Sequence, residues 1–595
     1  MKRRRGQLDA SRSFRWRAGL VFALLAAAAA GLLWRAVNLQ LVNHSFLTNQ
    51  GDARFTRVVR ITAHRGMITD RYGEPLAVST PVDSIWVNPK QIAAAPAAIR
   101  RLADALHLDP RTLARRVTRN LDRDFLYVSR HHPPAEALKI KALGIPGVYL
   151  MREYQRYYPA GEVTGQLVGF TNVDDAGQAG VELEFDHWLA GADGEKRVIQ
   201  DGYGRVIQDV ESIRPARPGR DLVLSIDLRL QYLAYRELKR AVQDQHARAG
   251  SLVLIDVRTG EVLAMASQPA FNPNDRDQMQ PARYRNRAVT DLFEPGSSIK
   301  PFFIAAGLAS GKYTARSVVD TSPGYIKVGA KTFEDEHDLG RVDLATILAK
   351  SSNVGMAHIA LSLAPKRIWT TLAAVGFGRV TASGFPGESA GELSDYVHWR
   401  PIGIATMSHG YGISLTLLQL AQAYATIGSY GIARPISLLR MDRPPPGERV
   451  MSAQVSNELI HLLQAVVVDP GATGKLAAIP GYEVAGKTGT AWVASDGGYS
   501  THLYRSVFAG VAPASDPRLA AAVVIDEPMS GEYYGGQVAA PVFAAVVGSA
   551  LRLLGVPPDE AVGVPATEQA GSGGPAMSVG RGYSAGRAYP SVARR

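Results

Sequence analysis

The sequence predicts an α+β protein in three parts: one N-terminal membrane-spanning helix, a turn-rich pedestal, and a larger domain built on one antiparallel sheet flanked by helices. Three observations lead there. An unbroken apolar run fills residues 18–34 behind a basic start. The stretch 52–217 mixes short strand and helix patterns among Gly, Pro and Asp turns and holds no constellation of an active site. From 218 onward, strand patterns stand at both ends of a long helical block, as when one sheet is completed from the two ends of its domain. A chain of 595 residues needs more than one core at roughly 100–200 residues per domain. With 46% hydrophobic and 20% charged residues it is neither disordered, collagen-like nor a polytopic membrane chain.

The parts are expected at 1–17 (cytoplasmic tail), 18–38 (transmembrane anchor), 39–217 (pedestal), 218–555 (the larger sheet-and-helix domain) and 556–595 (disordered tail). Seven Lys and Arg against Asp9 in the first seventeen residues carry half of the net charge of +12. The rest is spread thinly, without the clustered basic face of a nucleic-acid binder, so no nucleic-acid partner is expected. Seventeen apolar residues are at the short end of a spanning helix, with Trp16 and Trp34 placed for the two interfaces. The alanines at 26–30 also offer A-x-A cleavage sites, but Leu32, Leu33 and Trp34 prolong the run, which favours an uncleaved anchor. The positive-inside rule then puts the remainder outside the cytoplasm. Cysteine is absent, which excludes disulfides, zinc fingers, iron–sulfur clusters and thiol catalysis.

Along the chain, residues 37–49 read as a helix leaving the membrane. Asp70-Arg71-Tyr72-Gly73-Glu74-Pro75 reads as a turn feeding a strand at 76–79, residues 89–120 as two short helices, and 188–210 as strands broken by Gly191, Gly194, Gly202 and Gly204. Pro215, Pro218 and Gly219 mark the boundary. A strand at 222–226, an amphipathic helix at 228–245 and a hairpin around Arg258-Thr259-Gly260 follow. Helical periods fill 299–463, strands return at 482–493, 505–511 and 519–525, and a helix at 541–554 closes the domain. The Gly- and Ser-rich tail cannot bury enough apolar area to order.

Three short elements carry chemistry. Phe293-Glu294-Pro295-Gly296-Ser297-Ser298-Ile299-Lys300-Pro301 contains the only S-x-x-K. Pro-Gly breaks the chain and Ser297 starts a helix as its cap, with Lys300 one turn on along the same face. A first-turn lysine opposes the helix dipole; buried, its pKa falls and it can take a hydroxyl proton. Ser351-Ser352-Asn353 lies between two helical patterns, and alone reads as a capping turn. Gly486-Lys487-Thr488-Gly489-Thr490-Ala491-Trp492 lies in a strand whose glycines admit another backbone or a ligand. S-x-x-K, S-D-N and K-T-G in this order are the signature of penicillin-binding proteins and class A β-lactamases. Position 352 departs from it, being Ser rather than Asp.

On these motifs the chain resembles the class B penicillin-binding proteins, and most the division-specific peptidoglycan D,D-transpeptidases (FtsI family). Matching stretches include Arg65-Gly66-Met67-Ile68-Thr69-Asp70-Arg71, Arg156-Tyr157-Tyr158-Pro159, Gly202-Tyr203-Gly204-Arg205-Val206-Ile207, Ile427-Gly428-Ser429-Tyr430-Gly431, Gly510-Val511-Ala512-Pro513-Ala514 and Tyr533-Tyr534-Gly535-Gly536. The resemblance implies a dimerisation-type pedestal and a β-lactamase-like transpeptidase domain. It implies Ser297 as nucleophile on the penultimate D-alanine of a stem pentapeptide, with Lys300 as general base. Ser351 would relay a proton to the leaving amine. Asn353 would hold the substrate amide and orient Lys300, and Lys487 would keep Lys300 neutral by like charge. Thr488 and Thr490 would bind the donor carboxylate beside Gly489, and the amides of Thr490 and Ser297 would form the oxyanion hole. Implied partners are peptidoglycan stem peptides, β-lactams, a membrane-embedded septal glycosyltransferase and other divisome proteins, at a bacterial inner membrane with the catalytic domain periplasmic.

Against the family pattern, Ser298 replaces a usual Thr, His409 a usual Phe, Leu417 a usual Pro, and Trp492 stands where a basic residue is common. His409 is expected to pack locally. Gly471-Ala472-Thr473-Gly474-Lys475 is too short for a phosphate loop, and the 13 histidines show no metal-binding spacing, so neither a metal nor a cofactor is expected. The alternatives are a hydrolase of the same fold, a non-catalytic penicillin-binding sensor or scaffold, and the elongation-specific class B transpeptidase.

Overall fold

The computed structural model describes residues 5–43, 56–200, 206–495 and 498–559. The first helix, α1 (Arg5–Val37), begins within the basic segment and continues as a wider turn over Asn38–Val42. Residues Trp16–Val42 form a candidate membrane span of 27 residues, whose most apolar 18-residue window has mean hydropathy 2.1 and is not buried against the protein. At 1.5 Å per residue the span is about 40 Å of helix, ample for a hydrocarbon layer about 30 Å thick. The apolar stretch thus runs past the expected 18–38, because the polar Asn38 and Gln40 are outweighed by Leu39, Leu41 and Val42. A second apolar helix near the C-terminus, Gly535–Leu553, is 61% buried and serves as core. Residues 44–49 of the expected helical continuation, the stretch 202–205 and the tail from 560 lie outside the described residues. Residues 556–559, expected in the tail, belong to the domain: Tyr482 donates to Val556 O at 2.7 Å and Glu483 N–H to Asp559 Oδ2 at 2.6 Å.

In the pedestal, the turn at Asp70 feeds a strand far longer than expected, Pro75–Val87, which pairs with Val148–Tyr157 along its length and with Leu126–His132 at its far end. Three helices, Pro89–Ala93, Pro96–Ala105 and Pro110–Thr118, stand where two patterns were expected. Each starts on a proline, whose fixed φ suits a first helical turn. The RGxxxDR and RYYP stretches are structural. Arg65 donates to Glu182 at 2.8 Å and Asp186 at 2.7 Å, and Arg156 donates to Glu182 at 2.6 Å, all at the base of the pedestal. Of the strand expected at 222–226 only Leu222–Val223 is regular. It pairs in parallel with Ile68–Thr69, so the catalytic domain's first strand belongs to a pedestal sheet. Pedestal residues Ile68, Leu76, Tyr158, Leu167 and Val168 join one buried cluster with Val253, Phe302 and Tyr424 of the domain.

The domain's sheet is the one expected. Its strands are β1 (Ala249–Asp256), β2 (Val262–Gln268), β3 (Ala485–Ser495), β4 (Gly498–Ala512) and β5 (Leu519–Asp526). They lie in the order β2-β1-β5-β4-β3, all antiparallel. Alternation along the strands serves two cores. Val253, Ile255, Ala520 and Ala522 face Leu420, Ala421 and Tyr424 of the helical block. Leu252, Leu254, Val523 and Ile525 face Leu230, Leu238, Phe543 and Val546 of the helices Leu228–Asp244 and Ala540–Leu553. The order leaves β3, with the K-T-G element, at the sheet's edge beside the helical block.

Candidate active site

Ser297 does not cap a helix with its side chain, as the sequence suggested. Residues Gly296–Ile299 form a 3₁₀ turn that runs into α2 (Lys300–Ala309). In such a turn residues three apart eclipse, so Ser297 and Lys300 share one line more closely than in an α-helix. Gly296 permits the turn: its φ is +55°, and a Cβ there would meet Thr490 O of β3 at 2.9 Å. The neighbouring serines differ sharply. Ser298 is fully buried and donates to Pro295 O at 2.7 Å, whereas Ser297 is half-buried on the groove side.

Lys300 is fully buried. Its Nζ lies 2.5 Å from Ser351 O, 3.2 Å from Ser352 O, 2.9 Å from Asn353 Oδ1 and 3.3 Å from Ser351 Oγ. Burial pulls its pKa down to about 7, against an opposing pull from the charge of Asp335. The acceptors come from the link between α3 (Leu344–Ala349) and α4 (Asn353–Leu361). The link is built on a left-handed Ser351, φ +56°. Ser351 N–H bonds Leu348 O at 3.2 Å and Ser352 N–H bonds Ile347 O at 2.9 Å, closing α3 as a Schellman motif. A side chain in that conformation costs roughly 1 kcal/mol. Here it turns the carbonyl and hydroxyl of Ser351 onto Lys300.

On β3, Lys487 is fully buried and donates to Thr488 O at 3.2 Å and Thr488 Oγ1 at 3.1 Å. Burial first, and the charge of Lys300 second, hold its pKa well below the lysine range. The like-charge effect thus falls on Lys487 rather than on Lys300, whose pKa is set by burial and by Asp335. Thr488 donates onward to Thr473 Oγ1 at 2.9 Å. Thr490 Oγ1 accepts from Gly535 N–H at 3.0 Å, leaving its own proton to donate. Gly489 lies against Pro295 O, where a Cβ would come within 2.6 Å. The backbone N–H of Trp492 points away from β4, to Tyr411 Oη at 3.2 Å. By strand alternation the N–H of Thr490 points to that same outer edge, beside the Ser297 turn.

Residues the sequence reading did not single out complete the groove. Tyr411 packs against Trp492 at 6.0 Å and Tyr499 at 5.3 Å between ring centres. Glu294 accepts from Tyr499 at 2.9 Å and from Gly412 N–H at 2.7 Å. Thr473 sat inside the discarded Gly-Lys decoy, and Asp335 has no motif spacing at all; Glu294 alone had a signal, three residues before Ser297. His409 packs against the rings of Phe333 at 5.0 Å and Tyr411 at 5.8 Å. Burial, then the charges of Lys300 and Lys331, depress its pKa to about 3. Leu417 is buried at the start of a helix that replaces the missing proline with a capping box, Thr416 with Gln419.

Residues 250–548 match the penicillin binding protein transpeptidase domain and 60–224 the penicillin-binding protein dimerisation domain. The chain is 44% identical over 549 residues to the peptidoglycan D,D-transpeptidase FtsI of Escherichia coli, covering 91% of this chain and 93% of that one. It is 39% identical over 546 residues to the probable peptidoglycan D,D-transpeptidase PenA of Neisseria meningitidis, covering 91% and 93%. Among solved structures, penicillin-binding protein 3 of Mycobacterium tuberculosis in complex with aztreonam matches with TM-score 0.66 at 28% identity, over 84% of this chain and 98% of that one. The transpeptidase domain of penicillin-binding protein 3 from Burkholderia pseudomallei matches with TM-score 0.53 at 40% identity, over 57% and 98%. With both domain types in order around the Ser297 groove, and relatives matched over nearly their whole length, the chain belongs to the penicillin-binding protein family of peptidoglycan D,D-transpeptidases.

Proposed function

We propose that this chain cross-links stem peptides of septal peptidoglycan during cell division, through an acyl-enzyme on Ser297, and that β-lactams acylate the same serine. The observation that carries the reading is Lys300: a fully buried amine with its pKa pulled to about 7, one 3₁₀ turn from a half-buried serine. Ser297 Oγ attacks the carbonyl of the penultimate D-alanine and its proton passes to Lys300. The oxyanion is held by the amides of Ser297 and Thr490. As the intermediate collapses, Ser351 passes its proton to the leaving D-alanine and takes up the one held by Lys300. An acceptor amine then attacks the ester and loses a proton to Lys300, which hands it to Ser297 as that oxygen is released and the new peptide bond forms. Asn353 holds the donor amide, and Thr488 and Thr490 bind the donor carboxylate beside Gly489, with Lys487 donating to Thr488 from beneath.

The septal role rests on the 44% identity to FtsI over nearly the whole chain. The anchor would sit in the bacterial inner membrane with a cytoplasmic N-terminus, placing pedestal and groove in the periplasm. Among the described residues, 39–217 hold no comparable nucleophile–base pair, which fits a surface for the septal glycosyltransferase and other divisome proteins. The purified full chain in detergent, given a D-Ala-D-Ala stem-peptide donor and an amine acceptor, should release one D-alanine per 3–4 cross-link. Release without cross-linking would make it a carboxypeptidase, and stoichiometric penicillin labelling without turnover a sensor. Depletion should give filaments; rounded cells would assign it to elongation.

A further inference from the structure

Lys300 depends on the short link between α3 and α4 for its hydrogen-bond acceptors. What supports that link is a hairpin, Tyr325–Val328 with Lys331–Glu334, inserted ahead of α3. At the hairpin's end, Asp335 accepts three hydrogen bonds from the start of α4: Ser352 Oγ at 2.5 Å, Asn353 N–H at 2.5 Å and Val354 N–H at 3.1 Å. Its own N–H is tied to Gly324 O at 3.0 Å. The residue before it, Glu334, accepts from Asn353 Nδ2 at 3.2 Å through its backbone oxygen. That bond assigns the amide of Asn353 and leaves its Oδ1 facing Lys300 at 2.9 Å.

We propose that Asp335 is a positioning residue of the catalytic centre, clamping Ser352 and Asn353 so that the link presents its carbonyls and the Asn353 amide oxygen to Lys300. The clamp accounts for the departure at position 352. Ser352 accepts from Gly355 N–H at 2.9 Å and donates to Asp335. The serine thus caps the helix with its lone pair while a carboxylate from outside the motif supplies the negative charge. Asp335 also acts through space. The charged or titratable groups set around Lys300 are Asp335 on the hairpin, Lys487 on β3 and His409 in the loop after the helix Pro401–Met407, with Lys331 acting on His409. Asp335 is the carboxylate whose charge favours the ammonium form, opposing burial. Removing that charge lowers the pKa of Lys300 and enlarges its neutral fraction at low pH, while loosening the clamp misplaces the amine.

The inference rests on Lys300 as the base of acylation, and the test separates the two. The full chain in detergent carries Asp335→Asn, Asp335→Glu or Asp335→Ala, and the rate of acylation by benzylpenicillin is measured from pH 5.5 to 9.5 together with the melting temperature. Asp335→Asn keeps acceptors for the two backbone N–H groups. It should move the acid inflection down by roughly one pH unit and reduce the plateau rate severalfold. Asp335→Glu should restore the inflection, and Asp335→Ala should cost more in plateau rate than Asp335→Asn. An Asp335→Asn inflection unchanged from wild type, with rate lost equally at every pH, would leave Asp335 a merely structural cap and overturn the proposal. A wild-type profile with no inflection near pH 7 would instead remove Lys300 as the base.

Discussion

Lowering the pH across the active site should switch the nucleophile off as Lys300 takes up a proton. Its amine is fully buried and held to about 7, whereas an ordinary lysine titrates at 10.5. The difference corresponds to roughly 5 kcal/mol of discrimination against the charged form. A base of that pKa is about nine-tenths neutral at pH 8 and about one-tenth neutral at pH 6, so acylation should slow roughly tenfold between them. Above pH 8 the rate should level off. An unperturbed lysine would be neutral in about one molecule in 3,000 at pH 7, and the rate would climb tenfold per pH unit to beyond pH 9. Stopped-flow acylation by a chromogenic cephalosporin gives the profile directly. A rate that keeps rising with unit slope through pH 9 would show that the amine is not desolvated as the geometry requires. The same shift acts on stability. Between about pH 7 and 10.5 the unfolded chain binds a proton the folded chain has shed, so the melting temperature should rise with pH across that window.

Further outcomes follow from the same geometry. Lys487→Met should leave the acid inflection of acylation where burial and Asp335 set it, because the like-charge effect falls on Lys487; a shift of a full pH unit would show Lys487 charged beside Lys300. Ser298→Ala deletes a buried bond to Pro295 O and should cost about 1 kcal/mol, seen as a melting temperature lower by about 2–4 °C, with slower acylation that still reaches full stoichiometry. The isolated domain, residues 221–554, should still take up penicillin. It should melt below the full chain because it loses the packing of Ile68, Tyr158, Leu167 and Val168, and an equal melting temperature would deny the shared core. Truncation after Ala570 should leave acylation rate and melting temperature unchanged, with a loss of several degrees showing that the tail packs on the domain.

The main sheet was legible because its strands carry continuous apolar runs punctuated by Arg258-Thr259-Gly260 and by Pro513, signals local to each strand. Less legible were features whose partner is distant in sequence. The strand at Pro75 reads as four residues until Val148–Tyr157 is laid beside it, and Val82, Ser84 and Ile85 are buried by that pairing rather than by any alternation. Leu222–Val223 looks like the start of the catalytic sheet but pairs with Ile68–Thr69, since nothing in a two-residue strand names its partner. In the groove, Ser297, Lys300, Ser351, Asn353, Lys487, Thr488 and Thr490 stand out by motif spacing. Ser297 was misread as a cap because Pro295-Gly296 looks alike before an α-helix and a 3₁₀ turn. Asp335 and Thr473 had no such spacing; they reach the site from a hairpin and a loop, Asp335 through three hydrogen bonds to the start of α4 and Thr473 through one to Thr488.

The central claim is that Ser297, and not its buried neighbour, forms the acyl-enzyme with Lys300 behind it. The most direct measurement is peptide mapping of the full chain after reaction with benzylpenicillin, on wild type, Ser297→Ala and Ser298→Ala. The added mass should lie on Ser297 in wild type and in Ser298→Ala, and Ser297→Ala should carry none while keeping the wild-type melting temperature. An adduct on Ser298, or full labelling of a folded Ser297→Ala protein, would contradict the assignment and every role built on it.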